Sequence, residues 1–179
     1  SHAEGNSTKS VGGSSHAEGL STTSKGSASH AEGNSTISIG SYSHAEGYQS
    51  TSYNTASHAE GYQTTTTGVG SHAEGQGTTA SGDASHAEGN NTTASGTNSH
   101  SEGSGTIASG TYSHAEGNNT KSIGTGSHSE GDTTRSIGVN SHSEGANTYS
   151  GWKGFNITSI LSGVITLDAS YGDVTVSYT

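Results

Sequence analysis

Small and large side chains alternate along most of this chain in short stretches that recur every fourteen residues. In the first unit, residues 1–5 read Ser-His-Ala-Glu-Gly and residues 8–12 read Thr-Lys-Ser-Val-Gly. Alternation with a period of two is typical of β-strands, whose successive side chains point to opposite faces. Each unit therefore predicts two strands of about five residues joined by two-residue corners. Because only small side chains fit inside so narrow a coil, we expect the small set to point inward.

Eleven such units fill residues 1–154, and they contain all 11 histidines and all 11 glutamates of the chain. A period this strict indicates a repeat architecture in which each unit is one coil and neighbouring coils stack through parallel strands. The predicted fold is therefore all-β, a parallel β-roll solenoid with 14-residue coils over 1–154. We expect residues 155–179 to form a C-terminal β cap or the start of the next domain, and we expect the chain to be a fragment of a parent protein whose fold continues past Thr179.

The C-terminal segment contains the only Phe of the chain and many of its bulky aliphatic residues. It predicts three strands, at about 155–161, 164–168 and 173–178. Since the end of a solenoid exposes unpaired strand edges, we expect Trp152 and Phe155 to cover the last coil.

Glycine occupies the fifth position of every unit and the twelfth position of nine units, with Asn54 and Trp152 in the other two. Asn is the residue other than Gly that best tolerates a positive φ, so Asn54 favours a left-handed corner at position twelve. Lack of space for any side chain explains the glycines equally well, and the sequence leaves the two explanations open.

Composition restricts the partners. Only 24% of the residues are hydrophobic, with one Phe, one Trp and no Met, so a conventional monomeric core is not expected. The formal net charge of −10 with five scattered cations argues against a nucleic-acid partner. No apolar run is long enough to insert into a membrane. No catalytic motif is present, so we expect neither an enzyme nor a cofactor.

The two outward faces differ in variability. Positions nine and eleven change from unit to unit, whereas positions two and four are always His and Glu. A solvent-exposed face tolerates changes of residue type, whereas a face that packs against another copy of the chain does not. We therefore assign the constant face to an oligomer interface. Its residues are His2, Glu4, His16, Glu18, His30, Glu32, His44, Glu46, His58, Glu60, His72, Glu74, His86, Glu88, His100, Glu102, His114, Glu116, His128, Glu130, His142 and Glu144.

The unit resembles the YadA-like head repeat of trimeric autotransporter adhesins. Ser99–Gly103 (SHSEG) and Thr106–Gly110 (TIASG) align with the two motifs of that repeat, and the resemblance covers about 154 of the 179 residues. It implies a left-handed parallel β-roll and a homotrimer with positions two and four at the common axis, where the family has Val and Ile. SHAEG-type repeats are similar to those of phage tail fibres and bacterial surface proteins. The resemblance thus implies an extracellular segment, on a virion or a bacterial cell surface, that serves as shaft or head for host attachment.

Three chains around an axis would let each Glu accept a hydrogen bond from the His of a neighbouring chain. This interchain ladder predicts that Glu raises the pKa of the folded His. The same residues could hold Zn²⁺ or Ni²⁺, but a His-x-Glu spacing is a weak signal and no metal site is assigned.

Two other kinds of binding surface stay open. Exposed Tyr42, Tyr48, Tyr53 and Tyr62, with Asn-rich corners, could bind a carbohydrate or a host receptor. Position eight is Thr in ten of eleven units, which is reminiscent of ice-binding solenoids. However, position eight should point into the coil, so a regular Thr grid on the surface is not expected.

Overall fold

The computed structural model describes residues 1–151, 157–161, 164–167 and 176–177. Residues 1–151 form a parallel β-solenoid of about eleven coils with fourteen residues per coil, which confirms the predicted solenoid. Each coil contributes one strand to each of two eleven-stranded sheets, and no helix occurs among the described residues. Trp152 and Phe155, the expected cap, lie outside the described residues.

The first sheet carries the invariant His and Glu, and we call it the His/Glu sheet. Most of its strands have five residues, as predicted, and the last two have two. They are His2–Asn6, His16–Leu20, His30–Asn34, His44–Tyr48, His58–Tyr62, His72–Gln76, His86–Asn90, His100–Ser104, His114–Asn118, His128–Ser129 and His142–Ser143.

The second sheet carries the changing residues of position nine, and we call it the variable sheet. Its strands have two residues each, shorter than the five predicted, because the chain turns soon after position eleven. They are Lys9–Ser10, Thr23–Ser24, Ile37–Ser38, Thr51–Ser52, Thr65–Thr66, Thr79–Ala80, Thr93–Ala94, Ile107–Ala108, Lys121–Ser122, Arg135–Ser136 and Tyr149–Ser150.

In the sheets, each residue pairs with the residue fourteen positions later, which occupies the same position of the next coil. His72 pairs with His86 and Glu74 with Glu88, and the same correspondence holds along the His/Glu sheet. A slip of one residue would move every His and Glu to the interior, so the buried face enforces the register.

The core contains small residues, mostly hydroxylated, as the pattern predicted. Between the two terminal coils, positions three and ten are buried Ala or Ser, with Thr66 the one exception, and position eight is buried Thr, with Ser50 in one coil. The Ser24 hydroxyl lies 2.6 Å from that of Ser29, which donates to the carbonyl of Gly26 at 2.7 Å. Since Ser29 has one proton, Ser24 donates to Ser29. Hydrogen bonding therefore stabilises an interior that offers little apolar area.

Several buried threonines have no partner for their hydroxyl. Thr78 Oγ1 is buried without a hydrogen bond, whereas Thr106 Oγ1 lies 2.7 Å from Ser101 Oγ. The threonines of position eight thus occupy two energetically different kinds of site, because an unpaired buried hydroxyl costs free energy.

The glycine of position five lies at the surface of the coil and not in its interior, contrary to our expectation. Gly61 is exposed with a φ of 111°, and an added Cβ would lie 2.3 Å from the carbonyl oxygen of Gly75 in the next coil. Close approach between coils and a positive φ together require glycine here.

At position twelve, glycine recurs because a side chain would lack space, and not because the backbone needs a positive φ. A Cβ on Gly68 would lie 1.9 Å from the carbonyl oxygen of Gly82. Asn54 does not have a positive φ, so the predicted left-handed corner at this residue is wrong. Its side-chain amide instead donates to the carbonyl of Thr67 in the next coil.

The left-handed residues of the corners are at positions seven and fourteen. Asn91, Asn98 and Asn119 have φ values of 53–55°, and Tyr112 has a φ of 58°. Asn and Gly recur in these two columns, which is the sequence signal that could have located them.

The C-terminal strands form a separate antiparallel sheet. Ile157–Leu161 pairs with Val164–Leu167, which pairs with Val176–Ser177. These strands lie within the three predicted ranges.

Candidate functional site

Imidazole rings form a continuous column on the outer face of the His/Glu sheet. From His16 to His142 the ring centroids of neighbouring coils lie 4.7–4.9 Å apart, with interplanar angles of 0–8°. The rings are packed on each other and about one-third exposed, as for His44 at 32%. Parallel in-register strands place identical rings one above another, so the column follows from the repeat.

Glutamates form a second column beside the first. The distance from His Nε2 to Glu Oε2 of the same coil is 3.1 Å at His2, where the two hydrogen bond, and 3.4 Å at His44. The Nε2 atoms of nine histidines are buried and have no hydrogen-bond partner. They belong to His16, His30, His44, His58, His72, His86, His100, His114 and His128.

Two histidines lie within 3.7 Å of both a carboxylate of their own coil and a carboxylate of the preceding coil. His86 Nε2 lies 3.7 Å from Glu74 Oε1 and 3.7 Å from Glu88 Oε2. His114 Nε2 lies 3.7 Å from Glu102 Oε1 and 3.6 Å from Glu116 Oε2. Each of these rings therefore lies between two carboxylates.

Burial lowers the pKa of several column histidines, and neighbouring rings lower it further. At His100 the first cause is desolvation, followed by the charges that His114 and His86 would carry. His44, His58, His72 and His128 shift in the same direction, again mainly through burial. Within one chain this is the reverse of the raised pKa predicted for an interchain ladder, because desolvation outweighs the nearby Glu.

The stacked carboxyl groups alternate in acidity. A hydrogen bond with Glu102 raises the pKa of Glu88 to about 7, and the same interaction raises the pKa of Glu116 to about 7. The pKa of Glu102 between them is lowered, because it accepts from both neighbours. Closely stacked carboxylates cannot all ionise, so successive coils share protons.

An open groove of about 770 Å³ follows the Glu column and the adjacent glycines of position five. Its lining consists of carboxyl groups from Glu46 to Glu116 and of glycines from Gly61 to Gly131. The groove is therefore acidic and regular, with one carboxyl group per coil.

The tyrosines that sequence reasoning grouped together are only partly neighbours. Tyr48 and Tyr62, both at position six, stack with centroids 5.1 Å apart and remain 40% and 45% exposed. Tyr42 is at position fourteen, in the opposite corner, and Tyr53 follows the strand of the variable sheet. The four tyrosines therefore do not form one patch.

Sequence reasoning missed the amide ladders along the corner that follows the His/Glu strands. Gln63 Nε2 donates to Gln49 Oε1 at 2.9 Å, and Asn118 Nδ2 donates to Asp132 Oδ1 at 2.8 Å. The enrichment of Asn and Gln at positions six and seven is the signal that could have revealed them. These ladders join coils on the surface, as amide stacks do in other parallel β-structures.

Within the described ranges, no helix is long and apolar enough to cross a membrane. No protein-family model matches this chain, and no curated protein matches it.

Proposed function

We propose that this chain is a rigid segment of a trimeric extracellular fibre, in which three His/Glu sheets face a common axis. The segment serves as shaft or head for host attachment, on a phage tail fibre or a bacterial surface adhesin. The resemblance to YadA-like head repeats, with their left-handed β-roll, supports this proposal. The observation that carries it is the contrast between the two sheets.

The His/Glu sheet presents the same two side chains in every coil, in register and 32–39% exposed from His16 to Glu130. The variable sheet presents Lys, Thr, Ile, Arg or Tyr at position nine. A surface that repeats identically along its whole length matches a second copy of itself at every coil. Burial between copies would also compensate for the small apolar core.

Solution mass tests the assembly. We expect light scattering to give about three times the 17.7 kDa of one chain. His72→Arg places one bulky cation on the His/Glu sheet, and Thr79→Arg places one in the same coil on the variable sheet, where Arg135 shows that arginine fits. His72→Arg should reduce the mass to that of a monomer, and Thr79→Arg should leave the trimer intact. A wild-type monomer at all concentrations, or equal dissociation of both variants, would contradict the proposal.

A second proposal is that the exposed corner binds a carbohydrate or a receptor, and the stacked pair Tyr48 and Tyr62 favours it. Aromatic rings supply much of the contact area in such sites. Loss of glycan-array binding in Tyr48→Ser/Tyr62→Ser, with unchanged solution mass, would support an adhesive head. Absence of any glycan binding by the wild-type chain would leave the spacer role.

A further inference from the structure

His86 and His114 occupy the places where the His/Glu sheet gathers one nitrogen and two oxygen atoms from side chains of successive coils. Glu74 and Glu88 flank His86, and Glu102 and Glu116 flank His114, all at 3.6–3.7 Å. The two groups share no residue. Both Nε2 atoms are buried and lack a hydrogen-bond partner.

These distances are too long for hydrogen bonds, whose donor–acceptor separations are about 2.7–3.2 Å. They do match the separation of two ligands on one metal ion. Ligands about 2.1 Å from an ion and about 110–120° apart lie about 3.4–3.6 Å from each other. Small side-chain adjustments would therefore let one ion contact the imidazole and both carboxylates.

The column also lacks a counter-charge. Among the described residues, every ion pair of a glutamate is with a histidine, and no Lys or Arg pairs with the column. Carboxyl groups stacked one per coil cannot all ionise without repulsion, and a divalent cation between two of them would offset that repulsion.

We propose that His86 with Glu74 and Glu88, and His114 with Glu102 and Glu116, form two binding sites for a divalent transition-metal ion of the zinc class. An imidazole favours such ions over Mg²⁺ and Ca²⁺, which prefer oxygen ligands throughout. Three protein ligands leave a fourth position for water or for a group of another chain. The sites are complete within one chain, so they do not depend on the proposed trimer.

Cobalt is the probe for this proposal, because four-coordinate Co²⁺ absorbs visible light intensely and occupies zinc-type sites. The full chain is stripped with a chelator, dialysed and titrated with Co²⁺ in the presence of excess Mg²⁺. We expect about two equivalents per chain to bind tightly with the four-coordinate spectrum.

Single carboxylate substitutions identify the sites. Glu88→Gln and Glu116→Gln should each abolish one of the two equivalents, with Co²⁺ affinity at the altered site reduced at least about tenfold, a typical result of damaging a metal site. Asp132→Asn removes one carboxylate charge from a corner, where the side chain accepts from Asn118, and should leave both equivalents. Circular dichroism verifies that each variant is folded.

Three results would overturn the proposal. The first is that the wild type binds fewer than one Co²⁺ equivalent tightly. The second is that Glu88→Gln, Glu116→Gln and Asp132→Asn all bind the same amount of Co²⁺. The third is that Co²⁺ binding is spread evenly over the eleven coils. If Glu88→Gln does not fold, Glu116→Gln tests the second site independently. Failure of metal binding would leave the trimer proposal untouched, since solution mass tests that separately.

Discussion

Gly61→Ala should separate two coils of the solenoid, and it tests the close backbone approach at position five. The new Cβ would lie 2.3 Å from Gly75 O and 3.0 Å from Gly75 N, closer than side chains approach backbone. The φ of 111° at Gly61 also lies well beyond the left-handed region near 57° that alanine adopts at a tolerable cost.

The expected loss has two parts. Backbone strain contributes about 1–2 kcal/mol. Relieving the contact moves the coils apart by about 1 Å, which weakens about two ladder hydrogen bonds at about 0.5–1.5 kcal/mol each. The sum is about 2–5 kcal/mol, a large part of the 5–15 kcal/mol typical of a folded domain.

Gly70→Ala is the matched control in the same coil. Gly70 has a φ of 62°, and an added Cβ meets nothing within 4 Å. Alanine already occupies the equivalent position at Ala28, Ala56 and Ala84, with φ of 51–55°. Its strain of about 1 kcal/mol is largely offset by the reduced entropy of the unfolded chain.

Guanidinium denaturation followed by circular dichroism measures both variants. We expect Gly61→Ala to be less stable than Gly70→Ala by at least about 2 kcal/mol. Equal stability within about 0.5 kcal/mol would refute the argument that coil contact at position five requires glycine.

Three further predictions concern the core, the corners and the His column. Thr78→Val should stabilise the fold by about 1 kcal/mol or more because its buried hydroxyl is unpaired, whereas Thr106→Val should destabilise it through a lost hydrogen bond, and thermal melts compare the two. Tyr112→Asn should increase the free energy of unfolding by up to about 1 kcal/mol and raise the melting temperature, because Asn adopts the φ of 58° at this position more readily than Tyr. An unchanged or lower melting temperature would contradict this prediction. The lowered pKa of His44 means that the folded state binds its proton more weakly than the unfolded state. The stability advantage of wild type over His44→Asn, measured with a chelator present, should therefore shrink as pH falls from about 7.5 to 5. An advantage that grows on acidification would show that carboxylates, rather than burial, control this ring.

The period of fourteen residues by itself determines most of the fold. Strict recurrence of His and Glu at one spacing requires equivalent coils, and alternation within each unit places Ala, Ser and Thr inside. The His/Glu columns follow as well, because in-register stacking superimposes identical residues. These features depend on local pattern and repetition, which the sequence contains in full.

Position five shows what the pattern alone could not decide. Period-two reasoning assigned Gly61 to the interior, but the chain leaves the strand there with a positive φ, and the glycine faces outward against Gly75. The shortness of the second strand has the same origin, since the corners begin earlier than alternation suggests. A corner depends on how one coil closes onto the next, which alternation does not specify.

The chemistry of the His/Glu sheet likewise needed the tertiary structure. The sequence determined that His and Glu form parallel columns, but not that Glu88 lies within 4.0 Å of both His86 and His100, nor that burial lowers the pKa of His100. Distances between side chains of different coils depend on rotamers and on the 4.8 Å ring spacing of the stack. The sequence thus decides which groups meet, and only packing decides their separation, their protonation and whether a metal ion fits between them.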